Sequence, residues 1–205
     1  MVTYRGLPGP VITDHLSREA SRALYAPGTT FQIGRIEMVA NTGTYVDAPS
    51  HRWEDGADLS LLPLDVLAGR EGISVKAPHT RGLAVGSGFF EGVDVAGKAV
   101  LVATGWADFW GTPRYHERSA HLTRDAAELL AVKGAAIVGI DSHNIDDTND
   151  RTRPVHSILL RAGIPVVEHL CGLEALPPSG FRFYAVPVKV VGMGTFPVRA
   201  FAEVP

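Results

Sequence analysis

Hydrophobic and polar positions follow two different periods along this chain, and the change of period divides it. Phe31-Gln32-Ile33 and Ile36-Glu37-Met38 alternate apolar with polar on either side of Gly34-Arg35, which predicts a half-buried strand with a bulge at that break. Val100–Ala103 and Ala136–Ile140 are unbroken apolar runs, predicting strands covered on both faces. Between them the period becomes helical. Thr123 can cap a start, Asp125 sits in the first turn, and Ala126, Leu129, Leu130 and Lys133 precede a stop at Gly134. A second helix begins at Pro154, carries Val155, Ile158, Leu159 and Ala162 on one face, and ends at Gly163. Ile164–Glu168 then predicts another strand, and the tail (Phe181–Val186, then Val188–Val191) is β-rich. Helices alternating with apolar strands imply an α/β arrangement for the second half.

Composition narrows the picture. The 205 residues suffice for one compact domain, 1–205, and are too few for two ordinary ones. With 22 Gly and 14 Pro the chain is turn-rich, which disfavours helix-only folds. Lys plus Arg number 19 against 22 Asp plus Glu, a net charge of -3, which argues against a general nucleic-acid binder, since that would need a basic stripe. No apolar run approaches the roughly 20 residues that cross a bilayer, and Met1–Pro8 lack the apolar stretch of a secretory leader. The lone Cys171 excludes an internal disulfide and a thiolate-rich zinc site. These features predict a cytoplasmic globular protein.

Several chemical signatures fail. Gly86-Ser87-Gly88 lacks the spacing of a nucleophile elbow, and His116-Glu117 is not followed by the second histidine of a zinc-protease helix. Asp146-Asp147-Thr148-Asn149-Asp150 begins like a calcium loop, but Arg151 replaces the required Gly and Ser157 stands where the bidentate Glu belongs. Two segments remain. Asn41-Thr42-Gly43-Thr44-Tyr45-Val46-Asp47-Ala48-Pro49-Ser50-His51-Arg52-Trp53 places a carboxylate and an imidazole on a Pro-stiffened loop, where polar groups can converge on a ligand or merely satisfy a local turn. The second is Asp141-Ser142-His143-Asn144-Ile145-Asp146-Asp147, just after a buried strand and followed by His156 and Glu168. Six helical residues from His156 to Ala162 rise about 9 Å, and the strand from Pro165 to Glu168 returns by roughly 10 Å. This would bring His156 level with Glu168. A Glu amid Val166, Val167 and Leu170 requires a partner: a metal, or an ion pair with Arg153 or Arg161.

Residues 41–51 resemble the H-x-G-T-H-x-D-x-P-x-H signature of the metal-dependent cyclase family, whose members include kynurenine formamidase-like and isatin hydrolase-like enzymes. The similarity extends from Ile12-Thr13-Asp14-His15-Leu16-Ser17 through Asp55-Gly56, Leu62-Pro63-Leu64, Gly105-Trp106, His121-Leu122-Thr123 and Gly139-Ile140-Asp141-Ser142 to His156 and Glu168. It implies a small α/β fold of the swivelling β/β/α kind with mixed sheets and few helices, an oligomer (homodimer or homotetramer), and a divalent-metal site. By position it implies Asp47, His156 and Glu168 as metal ligands and His51 as the general acid/base. Asn41 and Tyr45 stand where the family's first two motif histidines belong. One ligand set is therefore intact, and the expectation is a single zinc or manganese ion.

That constellation suits hydrolysis of an amide, formamide or lactone carbonyl. A bound ion can lower the pKa of water to about 7, His51 can pass a proton to the leaving group, and Asn41 and Tyr45 could donate to the developing oxyanion. Trp53 and Trp106, with Phe109 and Trp110, are candidates for an aromatic pocket or for ordinary packing, and Arg52 for a substrate carboxylate or a solvated position. Three other readings use the same residues: a non-hydrolytic cyclase or lyase, a small-molecule binding protein without catalysis, and an iron site of Asp47, His51 and His156.

Overall fold

The computed structural model describes residues 6–205, so the absence of a leader, read from Met1–Pro8, rests on residues largely outside those described. Two compact units divide after Thr42. The N-terminal unit holds strand β1 (Val11–Leu16), the short helix α1 (Arg18–Ser21) and strand β2 (Ile33–Glu37), with β1 and β2 forming an antiparallel ribbon. The expected strand is present, but it is not half-buried: every residue of β2 is exposed, as are Val11 and Ile12 of β1. A two-stranded ribbon has no second layer of its own to cover an apolar face. The bulge also lies elsewhere. Gly34 and Arg35 pair regularly, and the register shifts on β1 between Asp14 and Leu16, which leaves His15 as the extra residue.

The second unit is built on an eight-stranded mixed sheet. Its strands are β3 (Tyr45–Asp47), β4 (Arg70–Lys76), β6 (Ala99–Ala103), β8 (Ile137–Ile140), β9 (Val166–Glu168), β10 (Ser179–Tyr184), β11 (Thr195–Pro197) and β12 (Phe201–Glu203), in the order β11-β3-β9-β8-β6-β4-β10-β12. A small parallel pair, β5 (Ala84–Val85) with β7 (His121–Leu122), completes the strands, and the helices are α2 (Leu64–Leu67), α3 (Arg124–Val132) and α4 (Pro154–Arg161). The four inner strands β4, β6, β8 and β9 run parallel, with antiparallel strands at either end. The α/β expectation is met.

The two apolar runs became β6 and β8 because both sheet faces are covered. Val100, Val102, Val138, Ile140 and Val166 pack with Ala126 and Leu130 of α3 and Val155 and Leu159 of α4 on one side; Leu101, Ile137, Val46, Val167, Phe181 and Phe183 form the core on the other. Gly139 is needed where it stands, since a Cβ there would meet Leu170 Cδ1 at 2.6 Å. In the tail, residues 185–194 form no strand, contrary to the expectation for Val188–Val191; Val188 and Val191 are exposed and unpaired by any ladder. No helix among the described residues is long and apolar enough to cross a membrane.

Asp141, at the exit of β8, ties the ends of two inner strands together. Its carboxylate accepts from the buried Thr104 amide at 3.0 Å and hydroxyl, and from the half-buried Gly105 amide at 2.8 Å. Asp141→Asn would turn an NH2 group toward these donors. Leaving one buried partner unmade costs about 2 kcal/mol, so calorimetry should record a Tm lower by ~4–8 °C.

Candidate metal and catalytic centre

The period-two pattern of Tyr45-Val46-Asp47 generates the centre. Val46 points into the apolar core with Val167, so Tyr45 and Asp47 share the opposite face. Across the ladders, Tyr45 lies opposite Glu168 of β9 and Asp47 opposite Thr195 of β11. Four polar side chains from three strands thus meet on one patch. The Tyr45 hydroxyl donates to Glu168 Oε2 at 2.6 Å, and the Ile145 amide donates to Glu168 Oε1 at 2.7 Å.

Thr195 fixes the state of His51. Its hydroxyl donates to Asp47 Oδ1 and lies 2.7 Å from His51 Nδ1. A hydroxyl has one proton, and the carboxylate takes it, so His51 Nδ1 must carry hydrogen and donate to Thr195 Oγ1. The lone pair is left on Nε2. The backbone is pinned as well: His51 ends a single 3₁₀ turn, Pro49–His51, and a Cβ at Gly194 would come within 2.5 Å of the His51 nitrogen. Thr195→Val keeps the shape and removes the hydroxyl; activity is expected to fall 10–100-fold, with Thr195→Ser restoring most of it.

Helix α4 brings His156. Its start is capped from a distance by Asp146, which accepts from the Val155 amide at 2.6 Å and the His156 amide at 3.1 Å. The same carboxylate lies 2.6 Å from His156 Nδ1, which turns Nε2 toward Asp47 Oδ2 at 3.6 Å and Glu168 Oε1 at 3.5 Å. Burial works to lower the His156 pKa, but the charge of Glu168 and the Asp146 and Asp47 carboxylates outweigh it and hold it well above the ordinary histidine value. Burial, aided by Asp47, pushes Glu168 up, with His156 opposing.

These residues fit a divalent cation. Asp47 Oδ2 is buried and has no hydrogen-bond partner, although it faces His156 Nε2. Among the described residues, Asp47, Asp146 and Glu168 pair with no Lys or Arg, so three buried carboxylates face only two imidazoles, buried His156 and the partly exposed His51. Such a charge imbalance calls for a cation, and a carboxylate behind a histidine is the usual support of a metal-bound imidazole. Ligand atoms of Asp47, His51 and His156 all lie within 4.8 Å of one another.

The structure therefore brings Asp47, His51, Tyr45, His156 and Glu168 together. The ion pair weighed for Glu168 does not form: Arg153 donates to Asn144, and Arg161 pairs with Asp55. Arg52 is exposed and Trp53 half-buried, both bonded to Ser157. Trp106 is buried with Tyr115 and Ala120, its Nε1–H donating to the Tyr115 carbonyl, and its partners do not include the carboxylate–imidazole group. Asn41 is half-buried in the N-terminal unit. Sequence reading missed Thr195 and the capping role of Asp146, and also that His169 and Tyr115 join Trp110, a candidate for an aromatic pocket, in a wall beside Tyr45. There His169, at φ 56°, has its ring 5.2 Å from Tyr45 and 5.7 Å from Trp110, and its Nδ1 lies 2.9 Å from the Tyr115 hydroxyl. Burial depresses His169 to about 3 and His143 to about 4, which keeps both neutral at neutral pH.

The family model described as "Putative cyclase" matches residues 10–147. The chain belongs to this family. Kynurenine formamidase of Salinibacter ruber is 29% identical to this cyclase-family chain over 177 residues, spanning 84% of it and 80% of the relative. Kynurenine formamidase of Paracidovorax citrulli is 29% identical over 197 residues, 89% of this chain and 85% of that one. Isatin hydrolase A from Ralstonia solanacearum shares the fold, with a TM-score of 0.79 at 22% identity over 98% of this chain and 84% of its own. A structure described as a potential metal-dependent hydrolase with cyclase activity superposes with a TM-score of 0.74 at 27% identity, over 96% of this chain and all of that one.

Proposed function

We propose that this cyclase-family chain is a metal-dependent hydrolase that cleaves the C–N bond of an amide, with aryl formamides and fused-ring lactams as the substrate class. The observation that supports the reading is the buried Asp47 Oδ2, which makes no hydrogen bond and faces His156 Nε2 beside Glu168. Asp47, His156 and Glu168 would hold one ion, zinc or manganese. When bound, it supplies Lewis acidity and a water acidic enough to react at neutral pH.

The chain's own residues do the rest. Asp146 orients His156, and Tyr45 with the Ile145 amide orients Glu168. His51, its Nδ1–H held by Thr195, presents Nε2 to take a proton and return it to the departing amine. Tyr45 can serve a developing oxyanion only by exchanging its bond to Glu168. The wall of Tyr115, Trp110 and neutral His169 suits an aromatic ring. The names of the relatives, kynurenine formamidase and isatin hydrolase, agree with aromatic amides. The exposed apolar side chains of the β1–β2 ribbon support a homodimer or homotetramer, and the composition supports a cytoplasmic location.

The decisive experiment follows formate release from an aryl formamide by protein stripped with chelator and reloaded with zinc or manganese. One bound ion per chain and metal-restored turnover are expected. Loaded protein that leaves both an aryl formamide and isatin intact would refute the reading.

A further inference from the structure

The site depends on two rings arriving from different elements. His51 sits at the end of the Pro49–His51 turn and His156 in the first turn of α4, with ring centroids 5.9 Å apart. Neither residue belongs to a strand: Gly194 and Thr195 hold His51 from the sheet side, and the spacing to His156 depends also on how the turn is joined to the helix. Something must join the turn to the helix, and residues 52–55 do so. The indole N–H of Trp53 donates to the Ser157 carbonyl at 3.1 Å, and Arg52 Nε donates to the Ser157 hydroxyl at 3.1 Å. The Arg52 guanidinium lies 4.4 Å from the Trp53 ring centroid and that of Arg161 lies 5.0 Å from it. Arg161, one turn along α4, grips both oxygens of Asp55 at 2.8 and 3.0 Å. Trp53 is two residues beyond His51, and Ser157 directly follows His156.

We propose that Trp53, bonded to Ser157 and flanked by Arg52 and Arg161, is a positioning residue that sets the distance between His51 and His156. The indole has no spare donor for a ligand, since its one N–H is used, and two guanidiniums already lie against its ring. Its rim packs on the core that also holds Val155 and Leu159. The indole therefore reads α4 and transmits its place to the turn. A shift of about 1 Å between reacting groups can cost ~10²-fold in rate, so a tether this close to both rings has leverage.

This inference rests on the hydrolase reading, and its test separates the two. Trp53→Phe removes the N–H, and Trp53→Leu removes the ring as well. On an aryl formamide with zinc-loaded protein, kcat should fall ~10-fold and ~10²-fold respectively, with KM within about twofold and one zinc retained per chain. A rise in KM at unchanged kcat would assign Trp53 to substrate binding and overturn the proposal, as would unchanged kinetics. Should Trp53→Leu not fold, Asp55→Asn and Arg161→Met loosen the exposed end of the same clasp and should lower kcat in the same sense. Nitrogen-15 histidine spectra need no turnover: the ring signals of His51 and His156 should move together in Trp53→Phe. Unmoved signals refute the clasp even if wild-type protein hydrolyses nothing, in which case the functional reading fails separately.

Discussion

His51→Ala is expected to lower kcat on an aryl formamide by 10²–10⁴-fold while one metal ion per chain remains bound and KM changes little. The distinction matters because His51 lies within 4.8 Å of the Asp47 and His156 ligand atoms and could in geometry be a ligand itself. Two observations favour proton transfer. Its side chain is 35% exposed where Asp47 and His156 are buried, and Glu168 Oε1 lies 3.5 Å from His156 Nε2 to complete a donor set without it. Metal analysis decides: loss of the ion from His51→Ala would make it a ligand, and an undiminished kcat would remove it from the chemistry.

Asp47→Asn should leave the isolated protein with sub-stoichiometric metal and turnover at background. The change deletes the negative charge at the one buried oxygen of the centre that has no hydrogen-bond partner, while Thr195 can still donate to the amide oxygen, so folding should survive. Circular dichroism with metal analysis separates these outcomes; an Asp47→Asn protein that still carries a full complement of metal would contradict the assignment. The metal-free wild type carries a related signature. His156 and Glu168 both hold protons more tightly in the fold than in the unfolded chain. At these two groups the folded protein binds more protons, so their contribution to stability is full below the ordinary values and is lost as pH rises through the raised ones, the His156 part lasting until about 10. Thermal melts of chelated protein from about pH 6 to 10 should show that fall, and loaded protein a smaller one.

Much of this was legible in advance because the signals were local. Val100–Ala103 and Ala136–Ile140 announced strands covered on both faces, and Pro154 announced the start of α4. Asp47, His156 and Glu168 were found through spacing and a family signature, and the structure places them together. What escaped were relations that exist only after pairing. Thr195 lies 148 residues from Asp47, and nothing in Gly194-Thr195-Phe196 marks it as the hydroxyl that fixes a histidine tautomer. Asp146 was visible, but as part of a failed calcium loop; its work as a remote helix cap appears only when residues 146 and 155 meet. The β1–β2 ribbon misled for the opposite reason: its alternation is that of a strand with a buried face, and the described residues leave that face open.

The placement of β3 has a consequence for synthesis. Its two neighbours, β9 and β11, are the Val166–Glu168 and Thr195–Pro197 strands, so the motif leaves the ribosome long before the strands that flank it. Contacts of such separation close late. The nascent polypeptide carries Asp47 and His51 before Glu168 and Thr195 have been made, so the paired arrangement of these four residues forms only once both later strands are present. A chain cut short before Thr195 would hold every proposed ligand and still lack the strand that locks them in place.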